Sequence, residues 1–205
     1  PVGAAKGDIQ MGFYAMGSHD IVQGTNCPIQ DEGNNTIAQV CYDIAKDLEI
    51  EPYDEHTGKG VLRHVIGRIG QSGWMVILVT ATDYLLHQEQ WIEKLTERIP
   101  QVETIVHNVN GKRTNVILGP INHVLYGDGT ITDHIKDLRF TLSPHSFFQV
   151  NPEQTTVLYD QALAYADLIG DETVIDAYCG TGTISLFLAH KAKHVIGIEI
   201  VEPAI

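Results

Sequence analysis

The sequence predicts an α/β chain in two parts. Residues 1–138 read as an α+β domain, and residues 139–205 as the start of an open parallel α/β sheet of Rossmann-like order, cut short. Three observations carry that prediction. Short apolar strands alternate with two helical periods as far as Leu138. From Asn151 onward the pattern becomes helix, strand, helix, strand. Between the strand that begins at Thr173 and the next helix lies Gly180-Thr181-Gly182, and the following strand closes on an acid, Glu199.

The first part opens with a β-like run over 9–16, the turn residues Gly17-Ser18-His19-Asp20, and the apolar pair Ile21-Val22. Ile37, Val40, Cys41, Ile44 and Leu48 recur at helical spacing. The runs over 60–70 and 74–80 read as strands joined by a hairpin turn at Gly70-Gln71-Ser72-Gly73. A second helix fits 87–99 and stops at Pro100, which cannot continue it. Further short strands are predicted over 104–110, 114–119, 124–127 and 138–142. In the second part Asn151 suits a helix cap, Pro152 the first helical position, and Gln154 the closing of a capping box. That helix runs to about Leu168. Strands follow over 173–177 and 195–200 with a helix between them, and a further helix is expected to begin near Ile205.

Charge narrows the choice of partner. Lys and Arg number 13 against 26 Asp and Glu, a net charge of −13. Counterion release supplies much of the affinity for phosphate backbone, so so acidic a chain must meet nucleic acid through local patches, base contacts or another segment. Hydrophobic residues make up 43%, which excludes bulk disorder. No apolar run approaches the roughly 20 residues of a spanning helix, and no signal peptide is visible, so no membrane partner is expected. Three irregularly spaced cysteines argue against a disulfide scaffold and suit a reducing, cytoplasmic setting. Ten scattered histidines show no ligand spacing, so no metal site is predicted. The chain starts at Pro1 rather than Met, which suggests a piece of something longer.

The chemistry centres on the glycine turn. Gly180 and Gly182 let the backbone bend sharply and approach a ligand, and the helix start beyond them offers free N–H groups. Glu199, 23 positions after Asp176, is placed to accept hydrogen bonds from ribose hydroxyls. Two ligands use such a frame. A dinucleotide site wants a third glycine where this chain has Ser185, and Asp176 would repel its pyrophosphate. An acid just before the glycines suits an ammonium group instead. S-adenosylmethionine supplies both an amine and an adenosine ribose, and is favoured over NAD.

The runs Ser146-Phe147-Phe148-Gln149-Val150-Asn151, Asp176-Ala177-Tyr178-Cys179-Gly180-Thr181-Gly182 and Gly197-Ile198-Glu199 resemble the bacterial RNA uridine-C5 methyltransferases, which make 5-methyluridine in ribosomal or transfer RNA. Gly17-Ser18-His19-Asp20-Ile21-Val22 and Leu62-Arg63-His64-Val65-Ile66-Gly67 resemble that family's central domain, so the likeness spans most of the chain. It implies an RNA partner, ribosomal before transfer RNA, and S-adenosylmethionine as cofactor. It implies that Gln149 helps define the cofactor and target-base pocket, that Tyr178 packs against the cofactor and that Glu199 binds its ribose. An amide suits a carboxylate or base edge, and an aromatic beside the turn can cover apolar ligand surface. The plainer readings are a hydrogen bond at the helix start for Gln149 and core packing for Tyr178.

The same resemblance implies a cysteine that adds to uracil C6, making C5 nucleophilic, and a base that removes the C5 proton. Both are expected downstream of the second strand, so no catalytic residue is assigned here and the chain by itself is expected to be inactive. Cys41 reads as core and Cys179 as a small packing residue of the turn. Cys27 resembles the last ligand of an iron–sulfur cluster found in some relatives, but one thiol holds no cluster. Arg63, Arg68, Lys112 and Arg113 are a candidate basic face for RNA. A methyltransferase for protein or small molecules, and a non-catalytic RNA-binding module, are the rival readings. A sheet stopped after two parallel strands leaves edges bare, so either self-association or an unusual packing of the strands is expected.

Overall fold

The computed structural model describes residues 1–5 and 8–200 and divides the chain into two units, Pro1–Ile131 and Thr132–Ile205. The further helix expected near Ile205 lies outside the described residues.

In the first unit β1 (Val2–Ala5), β2 (Asp8–Tyr14) and β3 (Ile21–Gln23) form an antiparallel sheet in that order. A Cβ on Gly12 would stand 2.0 Å from the Val22 carbonyl oxygen, so only glycine lets β3 close on β2. Next comes α1 (Glu32–Asp47), capped by Asp31, whose side chain accepts the Gly33 N–H at 2.7 Å. The helical period read from the sequence is the one that buries Ile37, Cys41 and Ile44.

The expected hairpin forms: β4 (Leu62–Ile69) pairs antiparallel with β5 (Trp74–Thr80), and the Gly70 N–H closes on the Gly73 carbonyl at 3.1 Å. Through α2 (Gln88–Arg98) the chain returns so that β6 (Val102–Val109) lies parallel to β5, and β7 (Ile121–Tyr126) pairs antiparallel with β6. Met75 to Val79 on β5 have no exposed surface, nor do Trp91 and Leu95 on α2. Each such side chain contributes roughly 2 kcal/mol by burial.

The strand predicted over 114–119 is not there. Asn110 Nδ2 donates to the carbonyls of Val116 and Ile117 at 2.7 and 2.9 Å. Asn108 Nδ2 donates to Gly119 O at 2.9 Å while its Oδ1 accepts the Gly119 N–H at 2.7 Å. Two buried amides thus supply the backbone bonds that a ladder would otherwise provide, and the segment is a loop.

β8 (Ile131–Ile135), a strand absent from the sequence prediction, starts at the last residue of the first unit and pairs with β9 (Leu138–Leu142). In the second unit α3 (Pro152–Ala166) starts as expected, with Asn151 Oδ1 accepting the Gln154 N–H at 3.1 Å. There follow β10 (Thr173–Ala177), α4 (Thr183–Ala189) and β11 (His194–Ile198), with β10 and β11 parallel. The buried Tyr159 of α3 joins the two helices: its hydroxyl lies 2.8 Å from Thr183 Oγ1 and its ring meets Phe187 edge-on. Ile175, Ile196 and Ile198 of the strands are exposed. No helix among the described residues is long and apolar enough to cross a membrane.

Candidate functional site at the bend after β10

Beyond Ala177 the backbone enters the left-handed region at Tyr178 (φ 64°), Gly180 (φ 56°) and Gly182 (φ 75°) before α4 begins. The bend is tied to the end of β11, because the Tyr178 and Cys179 N–H groups both donate to Ile198 O, at 2.7 and 3.1 Å. Glycine takes this conformation without strain, whereas Tyr178 pays roughly 1–2 kcal/mol for it. The residue is 87% exposed, so its ring gains nothing from packing that would offset the strain.

Glu199 sits directly across the bend. Its Oε2 accepts the Gly180 N–H at 2.9 Å, and its Oε1 accepts the Ile200 N–H at 2.8 Å. A hollow of about 390 Å³ opens here, lined in part by Cys179, Gly180, Gly182, Ser185, Leu186 and Glu199. A Cβ on Gly180 or Gly182 would meet nothing within 4 Å, so the backbone itself faces open space. Cys179 is a packing residue: a Cβ on Gly197 would stand 2.8 Å from its sulfur. Asp176 lies opposite Gly197 in the parallel register and accepts a hydrogen bond from Ser185 Oγ.

Of the residues singled out in the sequence, Gly180, Gly182 and Glu199 line the hollow. Asp176 reaches it through Ser185. Tyr178 stands on the bend but outside the lining, turned to solvent and not packed in a core. Gln149 also lies outside the lining, half-buried beside Phe148, whose ring packs on Phe140 at 5.5 Å. Ser185 enters the sequence pattern only as a missing third glycine. Its signal was a hydroxyl one helical turn past the bend, within reach of the acid before it.

Of the basic face expected from Arg63, Arg68, Lys112 and Arg113, only Lys112 and Arg113 are exposed, and Arg63 is withdrawn into the interior. Arg63 is only 2% exposed; it donates to Asn110 O, Lys112 O and Glu55 Oε1 at 2.7, 2.9 and 2.7 Å and stacks on Tyr53. Burial holds the Arg68 guanidinium below its ordinary pKa. Arg113 donates to the carbonyls of Glu55 and His56 at 3.1 and 2.8 Å. Arg63 and Arg113 thus hold backbone in place. Cys41 is fully buried, and burial drives its thiol well above the ordinary range, so it is a core residue. Among the described residues no group of three or more His, Cys, Asp or Glu side chains gathers as a metal site.

An acid at the end of one strand, glycines at the bend, and a second acid at the tip of the parallel neighbour together form a strand–glycine turn–helix–strand unit of the open α/β class. Comparison with known proteins places the chain further. It is 51% identical over its whole length to an uncharacterized RNA methyltransferase of Halalkalibacterium halodurans, and 49% identical to another of Clostridium tetani. It spans 45% of the length of each. The fold superposes, with a TM-score of 0.78 and 24% identity, on a Pyrococcus abyssi tRNA (uracil-54, C5)-methyltransferase solved with S-adenosyl-L-homocysteine, covering all of this chain and 49% of that one. No protein-family model matches the chain. The chain is thus a homologue of a section of the bacterial RNA methyltransferases, with the mixed α/β fold of a methyltransferase.

Proposed function

We propose that this chain is the cofactor-binding section of an RNA methyltransferase that uses S-adenosylmethionine to methylate C5 of a uridine. The observation that carries the reading is the Glu199 carboxylate held on the Gly180 N–H at the mouth of a hollow walled by bare glycine backbone. The carboxylate accepts the Gly180 and Ile200 N–H groups and lines the hollow, a placement that supports a role on the ribose hydroxyls. Asp176 faces the amino-acid end, while Gly180 and Gly182 admit the ligand against the main chain. When bound, S-adenosylmethionine supplies an electrophilic methyl group; the residues of this chain bind and orient. Gln149 toward the target base and Tyr178 as a cover over the ligand complete the proposed site.

The nucleophile and the proton-abstracting base are assigned to the longer protein, and the section alone is proposed to be inactive. Cytoplasmic ribosomal RNA is the proposed substrate. The transfer-RNA specificity named for the Pyrococcus protein favours transfer RNA as the second reading. Exposed Ile175, Ile196 and Ile198 support self-association of the isolated section. The test is to incubate the full-length protein with isotopically labelled S-adenosylmethionine and each RNA in turn, then digest to nucleosides. Label in 5-methyluridine from ribosomal RNA is expected; label elsewhere on RNA, or on protein only, would overturn the uridine-C5 reading.

A further inference from the structure

We infer that Ser185 is a positioning residue that orients the Asp176 carboxylate toward the amino-acid end of the nucleoside, and so decides which nucleosides the bend accepts. The inference rests on the cofactor reading above. Ser185 lies in the first turn of α4, lines the hollow, and donates its hydroxyl to Asp176 Oδ2. That bond engages one carboxylate oxygen and fixes the rotation of the group, which turns the other oxygen into a directed acceptor.

The same side chain sits where a dinucleotide turn has its third glycine, the residue that lets helix and strand approach closely over a pyrophosphate. Ser185 Oγ is 3.6 Å from the place that a Cβ on Gly197 would occupy, so it fills the space between α4 and β11. A hydroxyl there therefore acts twice. It narrows the path that a pyrophosphate would need, and it holds in place a negative charge that repels phosphate and attracts an ammonium group. The turn itself does not depend on Ser185 alone, since Tyr159 holds Thr183 from α3 at 2.8 Å.

Two ligands separate a positioning role from a merely structural one. S-adenosylhomocysteine carries the amine, and 5′-methylthioadenosine has the same nucleoside and sulfur without the amino-acid group. In calorimetry on the full-length protein, Ser185→Ala is expected to weaken S-adenosylhomocysteine roughly tenfold, as befits one charge-assisted bond left unaimed, and to leave 5′-methylthioadenosine unchanged. Ser185→Thr is expected to restore the wild-type preference. Equal loss of both ligands, or loss of neither, would overturn the inference. Should Ser185→Ala fail to fold, Asp176→Asn reads the same selectivity: loss confined to the amine-bearing ligand supports the role, and equal loss refutes it. Wild-type protein binding neither ligand would instead overturn the cofactor reading beneath it.

Discussion

Glu199 and Gly180 are 19 residues apart, and the carboxylate of one receives the backbone N–H of the other at 2.9 Å. The bond couples the tip of β11 to the bend after β10, so the acid proposed to bind ribose is tied directly to the glycine backbone. Replacing Glu199 with Gln keeps an acceptor for the N–H but removes the charge. Glu199→Gln in the full-length protein is expected to weaken binding of S-adenosylhomocysteine and 5′-methylthioadenosine alike, each about tenfold, because the ribose is common to both. Calorimetry checks it; unchanged affinity for both would remove Glu199 from the site.

Gly182 and Gly119 make opposite demands. Gly182 has φ 75° with open space around it, so Gly182→Ala meets only the left-handed penalty, about 1–2 kcal/mol. A Cβ on Gly119 would stand 1.7 Å from the Val109 carbonyl oxygen, and backbone cannot step aside as a side chain can. Gly119→Ala is expected to cost about 3 kcal/mol or more. Denaturant unfolding should rank the pair in that order, and equal costs would contradict the packing described for the Asn108 loop.

What could be read before the structure was what is encoded locally. The α1 period, the hairpin at Gly70 and the Asn151 cap all follow from side chains within a few positions of one another, and they appear where expected. The bend after β10 was legible for the same reason, since strand, glycines and helix are contiguous. The loop over 114–119 was not, because Asn108 of β6 and Asn110 just past it complete its backbone bonds. Arg63 was misread because a charged side chain is ordinarily solvated, and only the tertiary fold brings two carbonyls and Glu55 to it. Ser185 failed as a signal because its partner lies across the turn, while glycine patterns are read along the chain.

Arg63 now makes a stability prediction instead of an RNA-binding one. Its side chain is 1% exposed and its partner Glu55 19%, so truncation strands a carboxylate and two carbonyls away from water. Arg63→Met is expected to destabilise the protein by about 3–5 kcal/mol. Arg63→Lys should recover little, because one ammonium cannot reproduce a planar fork that meets three acceptors and stacks on Tyr53. Thermal melts of both variants decide it. Full rescue by Lys would show that charge alone matters there.

His64 gives the fold a pH dependence with a definite sign. It is 5% exposed on β4, and its pKa is pushed down from 6.5 to about 3, chiefly by burial, with the positive charge of Arg63 acting in the same direction. Above pH 6.5 both folded and unfolded chains hold it neutral, so it has no effect. Between that value and about 3 the unfolded chain takes up a proton that the folded chain refuses, and stability falls toward acid by about 1.4 kcal/mol for each pH unit well inside that window. His107, 2% exposed and likewise lowered by burial, acts in the same direction. Urea unfolding at pH 7 and 4.5 should show the loss, and His64→Gln, which cannot be protonated there, should remove part of it. Parallel pH profiles for wild type and variant would mean that the His64 ring is not held neutral in the folded protein.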